Sequence, residues 1–168
     1  MTYRNLLCTG AAAAIVGGTL RVISSFIPFR EAAVGLEIFY LIIDLCLLFG
    51  LLAIYLSEAE KLGWLGFSSF GVAAIGLASI VGPDVSLLGI DLYQLGATVL
   101  TIGLSGLSFA MLRTGTMKSA AFYWIGALGF GAMSTAAGSI FIFAIAGVSF
   151  ALGFVSAGVS LALKLEEA

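Results

Sequence analysis

Histidine is absent from this 168-residue chain, and charge is scarce. Without imidazole the chain has neither the commonest haem and metal ligand nor the usual neutral-pH base, so no cofactor is expected. Only 10% of residues are charged, against about 25% in an ordinary soluble domain. The net charge is −2 and no basic cluster occurs, which leaves no electrostatic footprint for nucleic acid and no polybasic patch for anionic lipid. The two cysteines, Cys8 and Cys46, fall at membrane depths differing by roughly 12 Å at ~1.5 Å per residue. A disulfide needs Cα atoms within about 7 Å, so both read as small apolar filler.

Catalytic signatures are missing too. There is no Ser/His/Asp set, no His-Glu metal motif and no Gly-x-Ser-x-Gly elbow. The glycines of the last two spans follow no strand and precede no Lys-Ser/Thr, which rules out a phosphate-binding loop there on context. An intramembrane two-acid protease needs its acids at one depth, and Glu37 lies about 10 Å from Asp44 along a helix, too far to share a proton. The chain reads as a protein without enzymatic activity.

What is present is apolar length. Hydrophobic residues make up 61% of the chain and its mean hydropathy is +1.19, which identifies an integral membrane protein whose first partner is the lipid bilayer. The pattern predicts an all-α bundle of six transmembrane helices in one domain, 1–168, with spans at about 6–27, 37–56, 63–81, 91–112, 120–135 and 140–163. Arg4 followed by the Ala11–Ala14 run resembles a signal peptide, but apolar character continues through Ile27 and predicts a retained span. Connections are expected at 28–35, at the charged stretch Ser57–Lys61, at Gly82-Pro83-Asp84 and at 113–118. From Lys118 to Lys164 there are 45 intervening residues without charge. As one helix these would measure about 68 Å against a core of about 30 Å, so a reversal is expected at Thr135–Ser139. Five of the seven basic residues, Arg4, Lys61, Arg113, Lys118 and Lys164, then fall on one side, which predicts cytoplasmic N- and C-termini. Trp64 and Trp124 each follow a cytoplasmic connection and are expected in an interfacial aromatic belt.

Polar residues inside the apolar runs are few enough to enumerate. Asp44 stands near the centre of the second span, where insertion scales put a charge at roughly 2.5–3.5 kcal/mol, so it should face a partner, a bundle interior or a wet cavity. Glu37, nearly two turns earlier, is expected on the same helix face, and Arg21 near the outer end of the first span is the nearest cation, with Tyr40 a further hydrogen-bonding candidate. Glu37 and Asp91 also suit the N-termini of outward-starting helices, where the dipole favours carboxylates. In the fourth span Asp91, Gln94, Thr98, Thr101, Ser105 and Ser108 recur at intervals of three and four and line one face. That stripe lines a hydrated path or packs against other helices with its hydroxyls bonded across or back to the backbone. Gly10, Ala14 and Gly17 form a small-residue strip leading to Arg21, and Gly126, Gly129, Gly131, Gly138, Gly147, Gly153 and Gly158 are expected to admit close helix contact.

The passage Leu52-Ala53-Ile54-Tyr55-Leu56 with Glu58-Ala59-Glu60-Lys61-Leu62-Gly63-Trp64-Leu65-Gly66-Phe67 resembles the hairpin of a loose group of uncharacterised small multi-span bacterial membrane proteins. The resemblance implies a prokaryotic inner (plasma) membrane and carries no activity with it. Two readings of function stand side by side. One is a small transporter or channel-like protein handling a proton, cation or small solute, with Asp44, Arg21, Glu37, Tyr40, Asp91, Gln94, Thr98 and Thr101 as its polar binding residues. The other is a non-catalytic accessory or structural subunit of a homo-oligomer or larger membrane complex, contacting lipid or pigment.

Overall fold

The computed structural model describes residues 2–27, 34–81, 86–87 and 90–167; the side chains of 86, 87, 90 and 91 lie outside that set, as do the connection read at 82–84 and positions 28–33 of the one read at 28–35, whose last two residues, Val34 and Gly35, are instead helical. The fold is all-helical, with α1 (Tyr3–Ser24), α2 (Val34–Ile80), α3 (Leu92–Thr114), α4 (Lys118–Ala137) and α5 (Ile140–Glu166). A two-residue antiparallel ladder precedes α3, pairing β1 (Ser86–Leu87) with β2 (Ile90–Asp91). All five helices are long and apolar enough to cross a membrane. Their outward surfaces carry Ile75, Phe109, Phe122 and Phe141, each mostly exposed, as suits side chains that meet acyl chains rather than water. The chain is a membrane-embedded helical protein.

At 47 residues, α2 as a straight rod would measure about 70 Å. It is not straight. Gly63 has φ 59° and ψ −156°, a region essentially reserved for glycine, and the chain folds back there. The rings of Tyr55 and Phe70 stack with centroids 4.3 Å apart and planes within 11°, although fifteen positions along one helix would separate them by about 22 Å. Two limbs result, 34–62 and 64–80. Gly66 completes the bend, since a Cβ there would lie 2.3 Å from the Leu62 Cβ. Gly63→Ala is expected to destabilise by about 1–3 kcal/mol through backbone strain alone, because no neighbour lies within 4 Å of the added methyl. Unfolding in mixed micelles measures it.

The charged stretch Ser57–Lys61 is helical, which corrects the expectation of a hydrated loop ending the second span near Leu56. Its Glu58 is buried at 4% exposure. The Lys164 ammonium donates to Glu58 Oε1 at 2.5 Å and Lys61 Nζ lies 3.5 Å from Oε2, so the acid is neutralised by the last turn of α5 and by its own helix. At the same end the Arg4 guanidinium donates to the Leu165 carbonyl at 3.0 Å and the Tyr3 hydroxyl to that of Leu56 at 2.9 Å, placing the N- and C-terminal helix ends together.

Helix packing depends on small residues at particular crossings. Gly10, Ala14 and Gly17 of α1 meet Ala53, Gly50 and Cys46 of the first limb of α2, and Gly18 and Gly158 bring α1 against α5. The second limb and α3 approach closest: a Cβ on Gly76 would lie 2.2 Å from the Leu100 backbone nitrogen, and one on Gly103 2.3 Å from that of Ala73. In the last two helices only Gly153 and Gly158 serve this purpose. Gly129, Gly131 and Gly138 have nothing within 4 Å of a built Cβ, which corrects the broader expectation for that glycine set. Gly138 instead closes α4 in the left-handed conformation (φ 60°, ψ 28°), and Ser139 caps α5 by accepting from the Ile142 N–H.

Trp124 is 1% exposed, so the interfacial-belt expectation holds for neither its position nor its role. Gly153 leaves the slot that admits its indole, which meets Phe154 edge-on at 5.3 Å. Trp64, just beyond the bend in α2, is 83% exposed.

Candidate polar site within the bundle

Away from the end that holds the termini, the helices diverge around a cavity of about 360 Å³. Every helix contributes to its wall: Arg21 from α1, Asp44, Leu47, Leu77 and Ile80 from the two limbs of α2, Tyr93, Thr98 and Thr101 from α3, Thr135 from α4, and Phe143 and Phe150 from α5. The floor is apolar because Leu47, Leu77 and Leu100 belong to the main core, which also holds Ile43, Leu104, Trp124 and Phe154. The rim reaches the lipid-facing side at Ile102, Leu128 and Phe143, all exposed.

Arg21 and Asp44 face this space together. They make no ion pair within 4.0 Å; among the described residues the ion pairs are those of Glu58. Arg21 donates instead to the Tyr93 hydroxyl at 3.2 Å, and its guanidinium carbon lies 5.9 Å from the centre of the Tyr40 ring, a cation–π distance. Asp44 is 8% exposed, and no hydrogen bond or ion pair reaches its carboxylate among the described residues. The site thus holds a cation anchored by two tyrosines and, lining the same cavity, an acid whose acceptors are unused among the described residues.

The remaining predicted residues divide. Thr98 and Thr101 line the cavity, but their hydroxyls donate to their own helix, to the carbonyls of Gln94 and Ala97 at 2.8 and 2.7 Å. Ser105 and Ser108 do the same one and two turns later. These groups are satisfied and present their acceptor lone pairs, a mildly polar wall rather than a set of free donors. Glu37 is exposed and outside the cavity lining. It keeps the helical face of Asp44 but sits in the first turn of α2, beside exposed Val34 and Ile38. Gln94 is exposed, and the side chain of Asp91 lies outside the described residues. Tyr93 and Thr135 are the site residues that sequence reasoning missed. An aromatic at a helix start reads as an interface anchor, and the partner of Tyr93 lies 72 positions away on α1.

Compared with known proteins, the chain matches no family model, no curated protein and no solved structure.

Proposed function

We propose that this is a small non-catalytic carrier-type protein of a prokaryotic inner membrane. It crosses the bilayer six times with both termini cytoplasmic and takes a proton, cation or small solute into the cavity between Arg21 and Asp44. Six crossings follow if the two limbs of α2 each span. Five basic residues at the end holding the termini support the orientation, and the resemblance of 52–67 supports the membrane. The observation that carries the functional reading is Asp44: an acid buried among apolar helices, with no hydrogen-bond or ion-pair partner among the described residues and with an open cavity in front of it.

Reconstituted into liposomes, the protein is expected to support proton, cation or solute flux, and Asp44→Asn, which preserves shape, is expected to reduce that flux to background while leaving thermal unfolding near wild type. Unchanged flux in Asp44→Asn removes the acid from the mechanism. The accessory-subunit reading draws on α4, where exposed Gly129 faces open space and leaves room for a partner helix. A native mass above that of one chain, with no flux in any variant, favours it.

A further inference from the structure

Resting on the carrier reading, we propose that the cavity recognises a small zwitterion, with the ligand's anionic group at Arg21 and its ammonium at Asp44. The argument begins from what the two side chains do not do. Opposite charges in one low-dielectric space gain most by meeting, yet no ion pair within 4.0 Å joins them. Arg21 is held off by Tyr93 and Tyr40. With one acceptor engaged by its five N–H groups, the guanidinium keeps donors for a carboxylate or phosphate. Asp44, more than nine-tenths buried and facing the same space, has no acceptor engaged among the described residues.

A lone cation bound at Asp44 would be repelled by Arg21, and a lone anion at Arg21 would leave Asp44 unmatched. A ligand carrying both charges a few bonds apart satisfies both and brings no net charge into the membrane. The volume, about 360 Å³, sits at the small end of ligand pockets, roughly 300–1,000 Å³, which favours a compact molecule. Apart from Thr98, Thr101 and Thr135 the rest of the wall is mainly aliphatic and aromatic, with Leu77, Phe143 and Phe150, so an apolar substituent is accommodated. The same chemistry occurs in a free apolar α-amino acid and in a phosphoethanolamine headgroup entering past exposed Ile102 and Leu128.

The test uses the full chain purified in mild detergent. Thermal stabilisation is measured with leucine, with isoamylamine and 4-methylpentanoate, which each lack one of its charges, and with sodium chloride. Retention of phosphatidylethanolamine against phosphatidylglycerol is measured by native mass spectrometry. Stabilisation by leucine alone assigns a free zwitterion, and selective retention of phosphatidylethanolamine assigns a headgroup. In either case Asp44→Asn and Arg21→Gln should each lose the effect while the ligand-free protein stays folded. Equal stabilisation by isoamylamine or sodium overturns the zwitterion and leaves a cation carrier standing. Zwitterion binding without flux in liposomes overturns the carrier reading and leaves the recognition. No response to any of these ligands overturns the proposal.

Discussion

Replacing both Lys61 and Lys164 with methionine is expected to destabilise the protein by about 3–5 kcal/mol, the cost of stranding a buried charge whose partners are gone. The two lysines are about half exposed, whereas Glu58 is 4% exposed, so the energetic weight lies on the acid. This asymmetry makes a prediction that a symmetrical ion pair would not. Glu58→Leu alone frees two lysines that already reach water, and its cost should be small. Lys164→Met alone leaves Glu58 with Lys61 at 3.5 Å and should fall between the two. Adding Glu58→Leu to the double lysine variant should recover most of the loss, because an apolar side chain replaces an unpaired charge among Leu7, Leu62 and Leu161 at that end of the bundle. Unfolding titrations in mixed micelles measure the series. A large loss from Glu58→Leu alone would mean that the carboxylate does more than neutralise these two cations.

The second large effect is expected where the second limb of α2 meets α3. Built Cβ atoms at Gly76 and Gly103 lie 2.2 and 2.3 Å from backbone nitrogens, which cannot rotate away as a side-chain tip can. Gly76→Val and Gly103→Val should each cost about 1–3 kcal/mol or more by forcing the helices apart. Leu77 and Leu100 flank the crossing and line the cavity, so cavity geometry should change along with stability. Gly71→Ala and Gly129→Ala are the controls, with nothing within 4 Å of the new methyl. They should be neutral or gain up to about 1 kcal/mol from lower chain entropy in the unfolded state. A uniform loss across all four variants would contradict close approach as the cause, since the two controls displace nothing and alanine favours a helix over glycine.

Sequence periodicity was informative wherever neighbours in space are also neighbours on a helix face. The strip Gly10, Ala14, Gly17 could be read as a close-approach surface because its spacing matches the helix, and Ala53, Gly50 and Cys46 occupy it. The reversal at Gly138 was readable because no single helix of that length fits a bilayer. Glu58 was missed for a different reason. Four polar or charged residues in the five-residue stretch Ser57–Lys61 resemble a loop, but the buried series Leu47, Leu51, Ile54, Glu58, Leu62 keeps intervals of three and four through it, and that rhythm was the available signal. Trp124 was missed because its burial depends on Gly153, 29 positions later on another helix. At the polar site, composition could single out Arg21 and Asp44 as anomalous charges. Which residues surround them depends on how six helical segments converge, and no local pattern encodes that Tyr93 accepts from Arg21 or that Glu37 lies beyond the packed part of its helix.

The proposed function requires that water reach the cavity shared by Arg21 and Asp44 from the side of the membrane opposite the termini. Cysteine accessibility tests it most directly, in a background with Cys8 and Cys46 replaced by alanine. Thr101→Cys probes the cavity wall, Glu60→Cys the end that holds the termini and Phe109→Cys the lipid-facing surface of α3. A membrane-impermeant thiol reagent added from the side opposite the termini should modify Thr101→Cys, spare Glu60→Cys until the membrane is opened, and leave Phe109→Cys unreacted. Protection of Thr101→Cys from both sides, at the level of Phe109→Cys, would show a closed dry pocket and contradict the account.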